Sequence, residues 1–332
     1  MKKLLPTAVL LALAASPVYP QASANLAAGK TQPSPLAPSE IVTKAPQGDW
    51  TAIPASDLLV MDLAPDAKGK PRRVVIQLMP PPFSQGWIGN IRKLAAAHWW
   101  DGLSINRVQD NYVVQWGDAN AEDKAKAKAL PAGLVTVPES GYQRRLLDDV
   151  TPGFIEALEI NHRSGDVPVV VERDAYSKAG FSYHFAGWPI ATDRKSYWPV
   201  HCYGMVGVGR DLSPNTGSGA ELYVVIGHAP RHLDRNIALV GRVIEGIEHL
   251  SSLPRGTGGL GFYETPEERT GIVAIRLGLE VPGLPAYEYL STESQSFARY
   301  ADARANRRDA FFIKPAGGAD ICNIPVPVRR TK

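Results

Sequence analysis

Apolar and polar positions trade places along two short runs, "DLLVMDLA" (57–64) and "RRVVIQLMP" (72–80). In the second, a period of two puts Val74, Ile76 and Leu78 on one face of a strand. Between the runs, "PDAKGK" supplies the Pro, Asp and Gly of a turn, so the pair predicts a β-hairpin. The period then lengthens to that of a helix in "SQGWIGNIRKLAAAHWW" (84–100), where Trp87, Ile88, Ile91, Leu94 and Ala95 share a side and Ser84 stands at the N-cap position. "LSINRV" and "NYVVQWGD" read as two further strands, and "YGMVGVGR", "AELYVVIG", "NIALVGRV" and "GIVAIRLGLEV" as four more. In "VIEGIEHLSSL" (243–253), Val243, Ile247 and Leu250 recur on the inner face of a second helix. Many short strands with two interspersed helices predict a mainly β fold, a closed antiparallel barrel of eight strands capped by the two helices. No internal repeat interrupts this order.

Three stretches lack that pattern. Residues 25–50 are rich in Pro, Ala and Ser without apolar periodicity, which predicts an extended linker. Residues 119–200 read as a long insertion into a barrel domain spanning 51–282, with some strand and an aromatic-rich segment, "FSYHFAGWPIATDRKSYWPV" (181–200), that packs on the domain instead of forming a binding face. Residues 283–332 form a C-terminal extension: "STESQSFARYADARANRRDAFF" (291–312) predicts a charged surface helix and "ICNIPVPVRR" (321–330) an extended tail.

Composition narrows the class. The chain has 332 residues, 44% hydrophobic and 21% charged, the balance of an ordinary globular protein. Its first residues carry Lys2-Lys3, an apolar run from Leu4 to Ala15 and a small-residue end at Ala22-Ser23-Ala24, the pattern of a secretory leader cleaved after Ala24. The run is short and broken by prolines, and no later segment approaches a membrane span, so no stable membrane insertion is expected after cleavage. Loss of the leader lowers the net charge from +3 to +1, which gives no electrostatic case for nucleic acid. "AEDKAKAKAL" (121–130) mixes signs and reads as a solvated helix or linker. The leader sends Cys202 and Cys322 to an oxidising periplasmic or secreted location, which predicts that they form one disulfide. Such a bridge constrains the unfolded chain by about 4 kcal/mol on the loop-entropy argument.

Two motifs carry less than they suggest. "GTGGLG" (256–261) matches a nucleotide-binding glycine pattern but follows a helix with no βαβ unit around it, so it reads as a turn. "HAPRH" spaces His228 and His232 like metal ligands on a helix, but Pro230 argues for a surface loop. The unusual stretch is "SINRVQDNYVVQWGD" (104–118), where Arg107, Tyr112 and Gln115 stand among apolar strand residues and the strand stops at Gly117-Asp118.

That stretch, within "DGLSINRVQDNYVVQWGD" (101–118), resembles the cyclophilin signature, in which a strand ending in an aromatic-histidine-arginine triplet precedes a Pro-Gly-Phe turn and a Gln-Gly-Gly-Asp stop. "GMVGVGRDLSPNTGSGAELYVVIGHAPRHLDRNIALVGRVIEGIEHL" (204–250) resembles the second half of the same fold. The likeness covers Asp57 to Asp118 and His201 to Val281 in the expected order, and identifies the chain as a divergent secreted bacterial member of the cyclophilin-type peptidyl-prolyl cis-trans isomerases. The resemblance implies Arg107 as the catalytic donor and Gln115 as the group that binds substrate backbone and holds the arginine. It implies Tyr112, Val113, Tyr223 and Leu233 as the apolar pocket for a proline ring. The chemistry requires no metal and no cofactor, and the implied partners are proline-containing polypeptides met by a monomer.

Several positions depart from the family. Val113 replaces a methionine, Tyr112 and Tyr223 replace phenylalanines, and Gly209 replaces a substrate-facing alanine. Glu221 replaces a glutamine and brings a charge that can pair with Arg107; His232 replaces a loop tryptophan, Ile237 a rim histidine, and Arg235 a glycine. Two functions therefore stay open: isomerisation of X-Pro bonds in exported chains, or a non-catalytic module that binds proline-containing segments or envelope partners.

Overall fold

The computed structural model describes residues 35–146, 170–171, 174–177 and 180–331. The leader expected over 1–24 and the first part of the expected linker lie outside the described residues. Eight strands build the barrel: Leu58–Leu63 (β1), Arg72–Leu78 (β2), Ser104–Val108 (β3), Val113–Gly117 (β4), Met205–Val208 (β5), Leu222–Val225 (β6), Leu239–Glu245 (β7) and Thr270–Leu277 (β8). Four α-helices occur among the described residues: Pro38–Lys44 (α1), Gln85–Ala96 (α2), Glu248–Ser251 (α3) and Gln295–Ala305 (α4).

The β1–β2 hairpin forms as the sequence predicts, with Leu59 opposite Ile76 and Met61 opposite Val74. Asp66 shapes its turn, its side chain accepting from the Lys68 and Lys70 N–H groups at 2.8 and 2.9 Å. Hydrogen bonding closes the barrel in the order β5-β6-β4-β3-β8-β1-β2-β7, and β7 returns to β5. All of these pairings are antiparallel. Leu59, Ile76, Ile105, Trp116, Val224 and Ile275 fill the interior, and Trp87, Ile91 and Leu94 of α2 join the same core. Burying a side chain of this size stabilises the fold by about 1.5–3 kcal/mol.

Elsewhere the structure differs from the sequence pattern. Ser84 precedes α2 but makes no side-chain cap; it adopts a left-handed conformation and only its carbonyl accepts the Ile88 N–H. The second helix shrinks to the single turn α3, because Val243 belongs to β7 and Gly246, at φ 84°, turns the chain before Leu250 packs inward. The expected linker contains α1, opened by Pro38 and a Glu40 carboxylate that accepts the Ala37 N–H at 2.8 Å. α4 is not merely a charged surface helix: it buries Phe297, Tyr300 and Ala301 against Ile41 of α1 and against Trp50, Leu290 and Ile324.

The predicted tail is likewise structured. Val328–Arg330 pairs with Tyr287–Leu290, which pairs with Trp50–Ile53. This small sheet covers the outer face of the hairpin, where Val75 meets Ile53, Leu58 and Tyr287. β2 is thus buried on both faces. Cys202 and Cys322 form the expected disulfide, Cα atoms 5.1 Å apart, which joins the start of the second barrel block to the extension.

The insertion contributes a five-stranded sheet, and its aromatics are core residues, as the composition of 181–200 suggests. Tyr142 stacks on Trp87 at 5.5 Å and Tyr197 meets Phe83 edge-on at 5.3 Å, so insertion and barrel share one hydrophobic core. Of the two readings of the charged run 121–130, helix or linker, the structure has the linker: the run forms turns, tied down where the Asp118 carboxylate accepts the Asn120 and Lys128 N–H groups at 2.9 and 2.6 Å.

Candidate functional site

The pleat sorts β4 and β6 into two faces. Val114, Trp116, Leu222 and Val224 point into the barrel, whereas Val113, Tyr223 and Val225 form a separate apolar cluster on the other side, with Tyr112 and Ile237 packed against it. Strand register then lines up a row across the outer face: Arg107 opposite Gln115, Gln115 opposite Tyr223, and Tyr223 opposite Gly207. A cation and an amide therefore sit at the edge of a greasy patch.

Arg107 is held from several sides. Its Nε donates to the Leu260 carbonyl at 2.7 Å, Nη1 donates to Gln115 Oε1 at 3.4 Å, and Nη2 donates to Gln109 Oε1. The guanidinium lies 5.6 Å from the Tyr112 ring centre and 5.2 Å from that of Phe262. Burial lowers its pKa from the ordinary value, the expected response of a cation moved out of water. Beside it opens a groove of about 580 Å³ lined by Gln115, Gly209, Glu221, Trp99 and Phe262, with Ala121 to Leu130 of the insertion contributing to one wall.

Glu221 does not pair with Arg107. Its Oε1 accepts the Asp118 N–H at 2.7 Å and its carboxyl also takes a hydrogen bond from Gln115, so it reaches the arginine only through that amide. Burial pushes the carboxyl up to about 7, against the two hydrogen bonds that favour its ionised form. Its position favours the glycine that ends β4: at φ 153° a Cβ on Gly117 would lie 2.0 Å from Glu221 Oε1 and displace the buried carboxyl.

Other predicted residues take up flanking places. His232 is exposed and stacks on Tyr112, ring centres 6.5 Å apart. Leu233 is half-buried at the end of the 3-10 turn Arg231–Leu233, and its carbonyl accepts the Ile237 N–H at 3.2 Å. Gly209 N–H donates to the Glu221 carbonyl at 2.8 Å. The residues that sequence reasoning missed are Gln109, Leu260 and Phe262. The last two belong to or follow the "GTGGLG" turn, which folds back on β3 through the Gly256 N–H donated to the Val108 carbonyl at 3.0 Å. The glycines signalled a turn but nothing in them named its neighbour.

The family model for the cyclophilin type peptidyl-prolyl cis-trans isomerase/CLD matches residues 87–276, more than half of the chain. The chain belongs to the cyclophilin-type isomerases. Among solved structures, it is similar to the cyclophilin AquaCyp293 from Hirschia baltica, with a TM-score of 0.60 and 20% identity over 86% of this chain and 97% of that one. A cyclophilin-type peptidyl-prolyl cis-trans isomerase from Cryptosporidium parvum aligns at 11% identity and a TM-score of 0.37, over 66% of this chain and 97% of that one. No curated protein matches the sequence. The AquaCyp293 likeness extends the shared fold beyond the family match into the flanking segments, since it takes in 86% of the cyclophilin described here. Among the described residues no three His, Cys, Asp or Glu side chains gather as a metal site, and no helix is long and apolar enough to cross a membrane.

Proposed function

We propose that this cyclophilin isomerises X-Pro bonds in exported polypeptides, with Arg107 as the catalytic donor. The X-Pro bond turns over slowly because rotation breaks conjugation across a barrier of about 18–20 kcal/mol. As the bond twists, the proline nitrogen regains a lone pair. A donor placed near that nitrogen stabilises the twisted state more than the planar one, and only such a difference accelerates the reaction. Val113 and Tyr223, flanked by Tyr112, Leu233 and Ile237, would receive the ring, while Gln115 anchors substrate backbone. No nucleophile or cofactor enters this scheme.

The observation that carries the reading is Arg107 fixed by Leu260, Gln115 and Gln109 at the junction of the apolar patch and the open groove. Exposed Leu212, Leu260 and Phe262 suit extended polypeptides over small solutes. The leader pattern and the Cys202–Cys322 bridge support a periplasmic or secreted location. A protease-coupled assay on an Ala-Pro peptide tests the proposal: Arg107→Ala should cut turnover at least tenfold, about 1.4 kcal/mol of transition-state stabilisation. One observation favours the competing reading of a proline-binding module without turnover: all three guanidinium nitrogens already have acceptors. Peptide affinity preserved in Arg107→Ala, with no wild-type rate above the uncatalysed one, would select it.

A further inference from the structure

A tyrosine on an apolar pocket floor brings a hydroxyl that must be satisfied or turned away from the ring it receives. Tyr223 solves this by pointing its hydroxyl at Gly207, where a Cβ would come within 2.3 Å of the oxygen. There it meets the fully buried His201, Nε2 to Oη 2.9 Å, the two rings nearly parallel. His201 Nδ1 lies 2.8 Å from Asp234 Oδ1, which also accepts the His201 backbone N–H at 3.0 Å. An ionised carboxylate only accepts, so Nδ1 carries a proton, and in the neutral imidazole Nε2 is then left to accept from the Tyr223 hydroxyl. Burial opposes ionisation of Asp234, but His201 and Arg231 outweigh it and hold the carboxyl below its ordinary value.

The chain of contacts continues outward. Arg231 Nε donates to Asp234 Oδ2 at 2.7 Å and Nη2 donates to Asp174 Oδ2 at 2.6 Å, all three side chains being buried. Arg231 opens the turn that Leu233 closes, and Asp174 belongs to the insertion. Cys202, next to His201, is bridged to Cys322.

We propose that His201 and Asp234 are positioning residues of the proline pocket. Their imidazole–carboxylate pair captures the Tyr223 hydroxyl and keeps it out of the pocket, and Arg231 with Asp174 fastens this clamp to the insertion. The proposal rests on the isomerase reading above. It explains how a tyrosine can serve where the family resemblance expects phenylalanine: the pocket meets only the ring face.

Three variants and one spectrum test it. His201→Leu strands the hydroxyl and should raise KM for an Ala-Pro peptide at least fivefold with kcat within twofold of wild type. Adding Tyr223→Phe removes the stranded group and should bring KM back to within twofold. A double variant no better than His201→Leu overturns the clamp, because a histidine with no part in holding the Tyr223 hydroxyl is not rescued by deleting that oxygen. If His201→Leu fails to fold, His201→Gln, which keeps an acceptor in place of Nε2, should retain the wild-type KM; a fivefold rise there also overturns it. Independently of activity, ¹⁵N NMR of the full chain should show His201 protonated on Nδ1, with an Nε2 resonance that moves on Tyr223→Phe. A proton on Nε2 sinks the clamp, whereas a wild-type protein with the expected tautomer but no turnover sinks the isomerase reading alone.

Discussion

Glu221→Gln isolates a carboxyl that this cyclophilin buries beside its site and whose ionisation that burial resists. Glu221 is raised from 4.5 to about 7 by burial, so the folded protein resists its ionisation. A carboxyl with a raised folded pKa contributes its stability below the unfolded value and loses it as pH rises through the folded one. Below pH 4.5 the side chain is neutral whether folded or unfolded, and Glu and Gln should be equivalent. Above about 7 the wild type carries a buried charge that its unfolded chain hydrates freely. At about 1.4 kcal/mol per pH unit of displacement, ionisation costs the folded state up to about 3 kcal/mol. The glutamine variant keeps an oxygen for the Asp118 N–H and carries no charge. Urea unfolding of both proteins between pH 4.5 and 8 should therefore give equal midpoints at the acid end. The variant should gain progressively toward pH 8. A gap that stays constant across the range, or one that widens toward acid, would refute the assignment of this burial penalty to Glu221.

The disulfide and the C-terminal extension make further expectations. Cys322→Ser, or reduction of the wild type, should lower stability by about 4–5 kcal/mol, given a sequence separation of 120 residues, and chemical denaturation under non-reducing conditions reads the loss. Phe297→Ala empties the middle of the cluster joining α1 to α4 and should cost about 3–5 kcal/mol by the same measurement. Unchanged stability in that variant would mean that the extension does not fold cooperatively with the barrel.

The barrel was legible because its strands are short, apolar and bounded by turn residues, and because local period decides which side chain faces inward. Val74, Ile76 and Leu78 needed nothing else. The second helix differs for a related reason: Val243 and Ile247 stand at helical spacing, yet the first lies within β7, which runs to Glu245, and the second caps the single turn α3, with Gly246 between strand and turn. α1 was hidden because seven residues after a proline-rich stretch show no period of their own; it exists by packing on Phe297 and Tyr300, some 255 residues away in sequence.

At the site, legibility followed the same division between local and distant causes. Arg107, Gln115 and Tyr223 were nameable because the stretches that hold them resemble the cyclophilin signature, and the strand register of the folded chain brings the three into one row. Glu221 was visible as a charge but its partner was not: strand register puts it beside Gly117 and Asp118, and a backbone N–H competes successfully with the guanidinium for its oxygen. Loops have no such register. The turn that delivers Leu260 to Arg107, and the buried acid Asp174 that reaches Arg231, come from segments far along the chain in sequence. Their glycines and carboxylates announce turns and charges without stating what they face. A polar side chain taken out of water must find a partner, however, and that requirement reaches past sequence distance. Once Tyr223 is placed on an apolar floor, its hydroxyl demands an acceptor, the acceptor demands a carboxylate, and the carboxylate demands a cation. The sequence holds each of these residues separately, and only the closed barrel puts them in line.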